Sequence, residues 1–266
     1  LGLSLVLSAT CNINLVSMHG YYRNRLRDAF LPYRVPIKNS DEFEKISTWE
    51  HADLCQLANI PVTEAPYPII NCNIELPGSS NSKYRNREGD CFTFTPLWTG
   101  SDSTGGAATS SYMNGTMDLA TATAISGAAV ATNTKNTRSK PLNFLMAFFN
   151  LRLGCWLENP RSARLKKHRN IKPLWYLYMF RDMFGQGLNE KQAFIHLSDG
   201  GHFENLGIYE LIRRKSKLII ATDAGADPNF EFGDLARLTE LIRVDFGAKL
   251  TLDFDSIKPN EQGISR

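Results

Sequence analysis

Ala193-Phe194-Ile195-His196-Leu197 runs directly into Ser198-Asp199-Gly200-Gly201-His202-Phe203-Glu204-Asn205-Leu206-Gly207. The first five residues form a short apolar run of strand length. The next ten open on turn chemistry and pass into a helix-like stretch. A strand ending in Ser-Asp-Gly-Gly sets one carboxylate, Asp199, at the carboxyl end of a sheet, the edge at which open α/β sheets bind ligands. Gly200 and Gly201 let the backbone turn tightly and approach a bound group.

Downstream, the pattern predicts a helix over 204–215, a strand over 217–222, a helix over 232–242 and a strand over 248–253. That strand–helix–strand–helix–strand order argues for parallel pairing through right-handed crossovers. Upstream, apolar and aromatic positions spaced three or four apart around Arg23, Arg25 and Arg27 predict an amphipathic helix over 21–30. A further helix is expected over 48–58, with Pro61 beyond its end. Alternation predicts strands over 67–76 and 91–97, with an exposed loop at 78–90. The stretch 99–114, dense in Gly, Ser, Thr and Ala, reads as a loop or a close-packed turn. Helices are expected over 117–130, 142–153 (buried) and 173–184, with a basic loop at 160–172. Residues 1–15 read as an apolar strand or helix. The expected fold is α/β, a mostly parallel sheet flanked by helices.

A formal charge of +3 on 266 residues is too small to imply nucleic-acid binding. No arginine-rich helix, zinc-finger spacing or aromatic RNA-binding motif supports that class. The five cysteines (Cys11, Cys55, Cys72, Cys91, Cys155) show no Cys-x-x-Cys and read as reduced thiols of a cytosol-like compartment. No apolar run reaches the roughly 18–20 residues of a membrane span, so any membrane anchor would lie outside this sequence.

The decapeptide Ser198–Gly207, followed by Tyr209-Glu210-Leu211 and the basic Arg213-Arg214-Lys215, resembles the second catalytic block of the patatin-like phospholipases, in a bacterial-type branch of that family. Three other stretches are similar to blocks of the same branch: His19-Gly20-Tyr21-Tyr22-Arg23-Asn24-Arg25-Leu26, Thr123-Ala124-Ile125-Ser126-Gly127-Ala128-Ala129, and Asn150-Leu151-Arg152-Leu153-Gly154-Cys155-Trp156. The resemblance implies a Ser/Asp dyad with Asp199 as its acid, and Gly200, Gly201 and His202 as turn support. It implies a lipid or phospholipid substrate, a membrane surface as partner on the cytoplasmic side, and no metal or organic cofactor. One departure is plain. The family's Gly-x-Ser-x-Gly, a strained elbow that exposes the nucleophile, is absent from these residues, as is a glycine-rich oxyanion loop. Residues 1–266 therefore read as a partial catalytic domain whose first strands, oxyanion loop and serine lie upstream, and which alone does not hydrolyse esters.

A serine hydroxyl needs a base within hydrogen-bond reach, and in a dyad the carboxylate takes the proton directly. The bland alternative for Asp199 is a turn residue capping the helix that follows. Glu204 and Asn205 read as caps, and Ser126 as part of a packed helix. Asp223 and Asp227, with Asp199, His202 and Glu204, could instead form an oxygen-rich metal site. The basic run Arg161, Arg164, Lys166, Lys167 and Arg169 precedes Trp175, Tyr176, Tyr178, Phe180 and Phe184, a composition suited to a lipid surface. Two alternative functions follow: an inactive lipid-binding or scaffold module, and a metal-dependent hydrolase. Oligomeric state leaves no mark on the sequence.

Overall fold

The computed structural model describes residues 10–36, 43–48, 53–61, 63–64, 66–132, 139–164 and 172–253. They belong to two compact units, Leu1–Phe203 and Glu204–Arg266. In the first unit the elements are α1 (His19–Phe30), β1 (Pro32–Pro36), β2 (Phe43–Thr48), β3 (Ile70–Glu75), α2 (Ser82–Arg87), β4 (Gly89–Phe94), β5 (Trp98–Ser101) and β6 (Gly105–Ala108). They continue with α3 (Leu119–Ser126), α4 (Lys140–Phe148), β7 (Cys155–Glu158), α5 (Pro160–Arg164), α6 (Trp175–Phe184) and β8 (Phe194–Asp199). Strands β1 and β2 pair with each other. The other six form one curled sheet in the order β6-β5-β4-β3-β8-β7.

Every pairing in that sheet is antiparallel. This corrects the mostly parallel sheet expected from the sequence. Both edges of β8 are already taken, by β3 on one side and β7 on the other. No edge of β8 is left for a parallel neighbour. The stretches 217–222 and 248–253, expected to supply further parallel strands, are irregular. Periodicity finds an apolar run of strand length but not its partner. A run becomes a strand only where another backbone accepts its hydrogen bonds.

The second departure is the hairpin β5–β6, formed where loop composition dominates. Its glycines matter for shape. A Cβ on Gly106 would stand 2.0 Å from the Trp98 indole nitrogen, and one on Gly100 2.4 Å from the Gly105 carbonyl oxygen. Small residues here allow two strands and an indole to close on each other, which no propensity scale records. The connecting turn is tied to β4, because the Ser103 N–H donates to Asp90 Oδ2 at 2.8 Å.

Side chains alternate across β3, β8 and β7, as the strand period of two requires. On one face Cys72, Ile74, Ile195, Leu197, Cys155 and Leu157 join Phe92, Phe94 and Ile125 of α3 in the main core. On the other, Trp156 and Phe194 pack with Tyr178 of α6, Ile13 and Leu188. Asp118 caps α3, accepting the Thr121 N–H at 2.7 Å, and the same carboxylate holds Arg23 of α1 at 3.1 Å.

The second unit contains α7 (Ile208–Arg213) and α8 (Gly233–Phe246). Glu204 caps α7 as its sequence suggests, accepting the N–H groups of Leu206 and Tyr209 at 2.5 and 3.1 Å. Tyr209 then locks α7 to α8, donating its hydroxyl to Asp245 at 2.6 Å. Leu218 and Ile220 are 78% and 85% exposed.

Candidate functional site

Asp199 is the last residue of β8 and stands opposite Cys72 of β3. Directly opposed residues share a face, so Asp199 lies on the α3 side of the sheet. Its Oδ1 accepts the Gly201 N–H at 2.7 Å and so caps the short 3-10 turn Gly200–His202. Gly200 is required by close approach: a Cβ there would stand 2.6 Å from the Asn71 carbonyl oxygen. The chain thus folds back against β3, and the carboxylate remains half-buried. The cap serves this single turn; the helix further on is capped by Glu204.

Two neighbouring groups complete this end of the sheet. Ser126, at the end of α3, donates its hydroxyl to the Asn71 carbonyl at 2.7 Å. Tyr22 of α1 donates to the Gly127 carbonyl at 2.9 Å. Burial, and secondarily the negative charge of Asp199, push the Tyr22 phenol above its ordinary value. A carboxylate is acceptor-only. One that is half in solvent, with a single oxygen fixed by a backbone amide, can receive a proton from an alcohol placed beside it. Ser126 does not fill that role, because its hydrogen is directed at Asn71.

His202 belongs to a different group. Its Nδ1 lies 3.0 Å from Ser198 Oγ, and Asn73 Nδ2 donates to the same oxygen at 3.4 Å. Asn73 and Ser198 alternate away from Cys72 and Asp199 and are buried on the opposite face. That face also carries four charged side chains, Glu75, Arg152, Asp182 and His196, all out of solvent. Arg152 pairs with Asp182 at 3.1 Å, and Trp156 donates its indole N–H to Asp182 at 3.0 Å. Sequence reading missed Tyr22, Asn71 and this buried group. The signal available was indirect: Tyr22 and Arg152 sit inside the stretches His19–Leu26 and Asn150–Trp156 that the sequence singles out.

The residues of the metal alternative have local tasks. Asp223 accepts the Gly225 N–H at 2.8 Å, and Asp227 accepts those of Glu231 and Phe232 at 2.9 and 2.7 Å. Among the described residues no three His, Cys, Asp or Glu side chains gather as a metal-binding group. The aromatic run divides: Tyr178 is core, Trp175 and Tyr176 are half-buried, and Phe180 and Phe184 are exposed. Lys166, Lys167 and Arg169 lie outside the described residues.

Compared with family models, with curated proteins and with solved structures, the chain matches none.

Proposed function

We propose that these residues are the acid-bearing part of a lipid acyl hydrolase of the patatin-like type, with Asp199 as the base of a Ser/Asp dyad. The observation behind this reading is the position of Asp199 at a strand tip, half in solvent, on a turn that only glycine can make. The antiparallel surroundings of β8 depart from what the resemblance implies, so the reading rests on the turn and not on the sheet. The serine is not among the 266 residues in its Gly-x-Ser-x-Gly setting and would come from outside them. Asp199 would take the proton of that serine as its Oγ attacks the ester carbonyl, and return it to the departing alcohol. Water, deprotonated by the same carboxylate, would then attack the acyl-enzyme and release the fatty acid, the proton passing from Asp199 to the departing serine oxygen. Backbone amides would carry the oxyanion. No step calls on a metal or an organic cofactor.

The test is phospholipid hydrolysis by a polypeptide carrying these residues together with a serine elbow. Asp199→Asn keeps the acceptor for Gly201 and removes the base, so it is expected to lower kcat at least about 10²-fold with little change in Tm. The 266-residue chain alone is expected to leave nitrophenyl esters intact. Turnover by that chain that disappears in Asp199→Ala, or an undiminished rate in the Asn variant, overturns the dyad.

A further inference from the structure

Five phenylalanines at the α4–α6 contact touch in an unbroken series. Phe180 stacks on Phe184, Phe184 meets Phe144 edge-on, Phe144 stacks on Phe148, and Phe148 meets Phe149, with centroids 5.2 to 6.5 Å apart. Each is 40 to 62% exposed. These rings are not misplaced core. The inward sides of the two helices are filled by Met146 and Ala147 from α4 and Tyr178 from α6, all buried. Soluble surfaces rarely carry a contiguous apolar patch of this kind without a use for it.

Within the two segments that carry the rings, the solvent-facing charges have one sign. Residues 139–153 and 172–187 contain Lys140, Arg152, Lys172, Arg181 and Asp182 as their charged groups. Arg152 and Asp182 are buried against each other. Lys140 and Lys172 are exposed, and Arg181 lies half-buried over the Tyr178 ring at 4.8 Å. What these two segments show to solvent is therefore aromatic and cationic. A membrane leaflet offers the complement, hydrocarbon beneath a negatively charged layer. The α4 helix has 9 residues and α6 has 10, and among the described residues no helix is long and apolar enough to cross a bilayer. The matching geometry is two short helices lying in the plane of the surface.

We propose that α4 and α6 dock on an anionic lipid surface, with the phenyl rings in the acyl boundary and Lys140, Lys172 and Arg181 among the headgroups. This docking does not depend on Asp199 and stands whether or not the protein hydrolyses esters.

Vesicle flotation of the 266-residue chain tests it, using phosphatidylcholine alone and phosphatidylcholine mixed with phosphatidylglycerol. The chain is expected to float with the mixed vesicles, less so at high salt. Phe148→Asp combined with Phe184→Asp is expected to lower the partition coefficient at least about tenfold. Lys140→Glu combined with Lys172→Glu should remove the preference for anionic vesicles, about fivefold for each cation lost. Circular dichroism and Tm establish that the variants fold. Should the Phe pair unfold, the Lys pair, at exposed sites, decides through the anionic preference alone. Failure of the wild-type chain to float overturns the proposal. So does flotation that neither pair changes. A dimer in sedimentation that the Phe pair dissociates, without vesicle binding, assigns the face to a second copy and also overturns it. Flotation of Asp199→Ala equal to wild type separates the docking from the chemistry.

Discussion

His196 Nδ1 lies 2.8 Å from Glu75 Oε2 across the β3–β8 pair, with both side chains closed off from solvent. Burial alone would hold this imidazole neutral. The Glu75 carboxylate, helped by the charge of Asp182, outweighs that effect and raises His196 above its ordinary value of 6.5. A raised histidine contributes stability that is complete below about pH 6.5 and disappears as pH climbs through its folded-state value. Glu75→Gln leaves the ring without its counter-charge, and breaking a buried pair of this kind costs about 3 kcal/mol or more. Urea midpoints between neutral and alkaline pH are expected to fall in the wild type and to be lower and flatter in Glu75→Gln.

On the acid side two buried groups oppose each other. Burial pushes Asp90 up from 3.8 to about 6, so its contribution is complete below 3.8 and lost as pH rises through 6. Burial pushes His19 down from 6.5 to about 4, so its contribution is complete above 6.5 and lost as pH falls through 4. Each shift corresponds to about 3 kcal/mol, with opposite sign over nearly the same window. These two contributions therefore nearly cancel between pH 4 and 6.5. Asp90→Asn should expose a loss of stability on acidification. His19→Asn, whose amide can still donate to the Leu153 carbonyl that now lies 2.7 Å from Nδ1, should expose a gain. Thermal midpoints across that range check both.

Close approach at the turn after β8 makes its first glycine irreplaceable. Gly200→Ala drives a methyl to 2.6 Å from a backbone oxygen of β3, and is expected to destabilise by about 1 to 3 kcal/mol. Gly233, at the start of α8, has nothing within 4 Å of an added Cβ. Gly233→Ala is therefore the matched control, expected to leave the denaturation midpoint nearly unchanged.

The two substitutions of Asp199 should separate folding from chemistry. Asp199→Ala removes the acceptor for Gly201 and is expected to cost about 1 kcal/mol. Asp199→Asn keeps an oxygen there and should lie within a few tenths of wild type. Equal losses in the two variants would mean that the cap contributes nothing.

Much of the local structure is legible in the sequence. Strand-like patterns locate β3 and β4, and an apolar run of strand length locates β8, within a few residues; helical spacing locates α1, α6 and α8. What fails is pairing. Gly105 and Gly106 look like loop until Trp98 is known to lie over them. The stretch 217–222 looks like strand until both edges of β8 are known to be occupied. Residues 78–90 read as loop, yet Asn81 caps a short helix by accepting the Lys83 N–H at 2.9 Å, a cue present in the sequence but hidden by its polarity. The buried face of 142–153 was legible only in part: Met146 and Ala147 turn inward, while the phenylalanines that make the stretch look like core stay outside. At the candidate site, the turn could be read but its neighbours could not. Tyr22 and Asn71 are distant in sequence from Asp199 and reach it through the packing of α1 and the register of β3.

The irregular segment Lys217-Leu218-Ile219-Ile220-Ala221-Thr222 has a consequence for the protein in concentrated solution. It is short and β-branched, lacks proline and glycine, and shows Leu218 and Ile220 to water. These are the attributes of a segment that stacks between molecules into cross-β ribbons, with Lys217 as its flanking gatekeeper charge. Ile220→Lys is expected to raise the concentration at which light scattering begins while leaving Tm in place. Six residues that contribute no strand to the protein's own fold thus bear on how it can be concentrated.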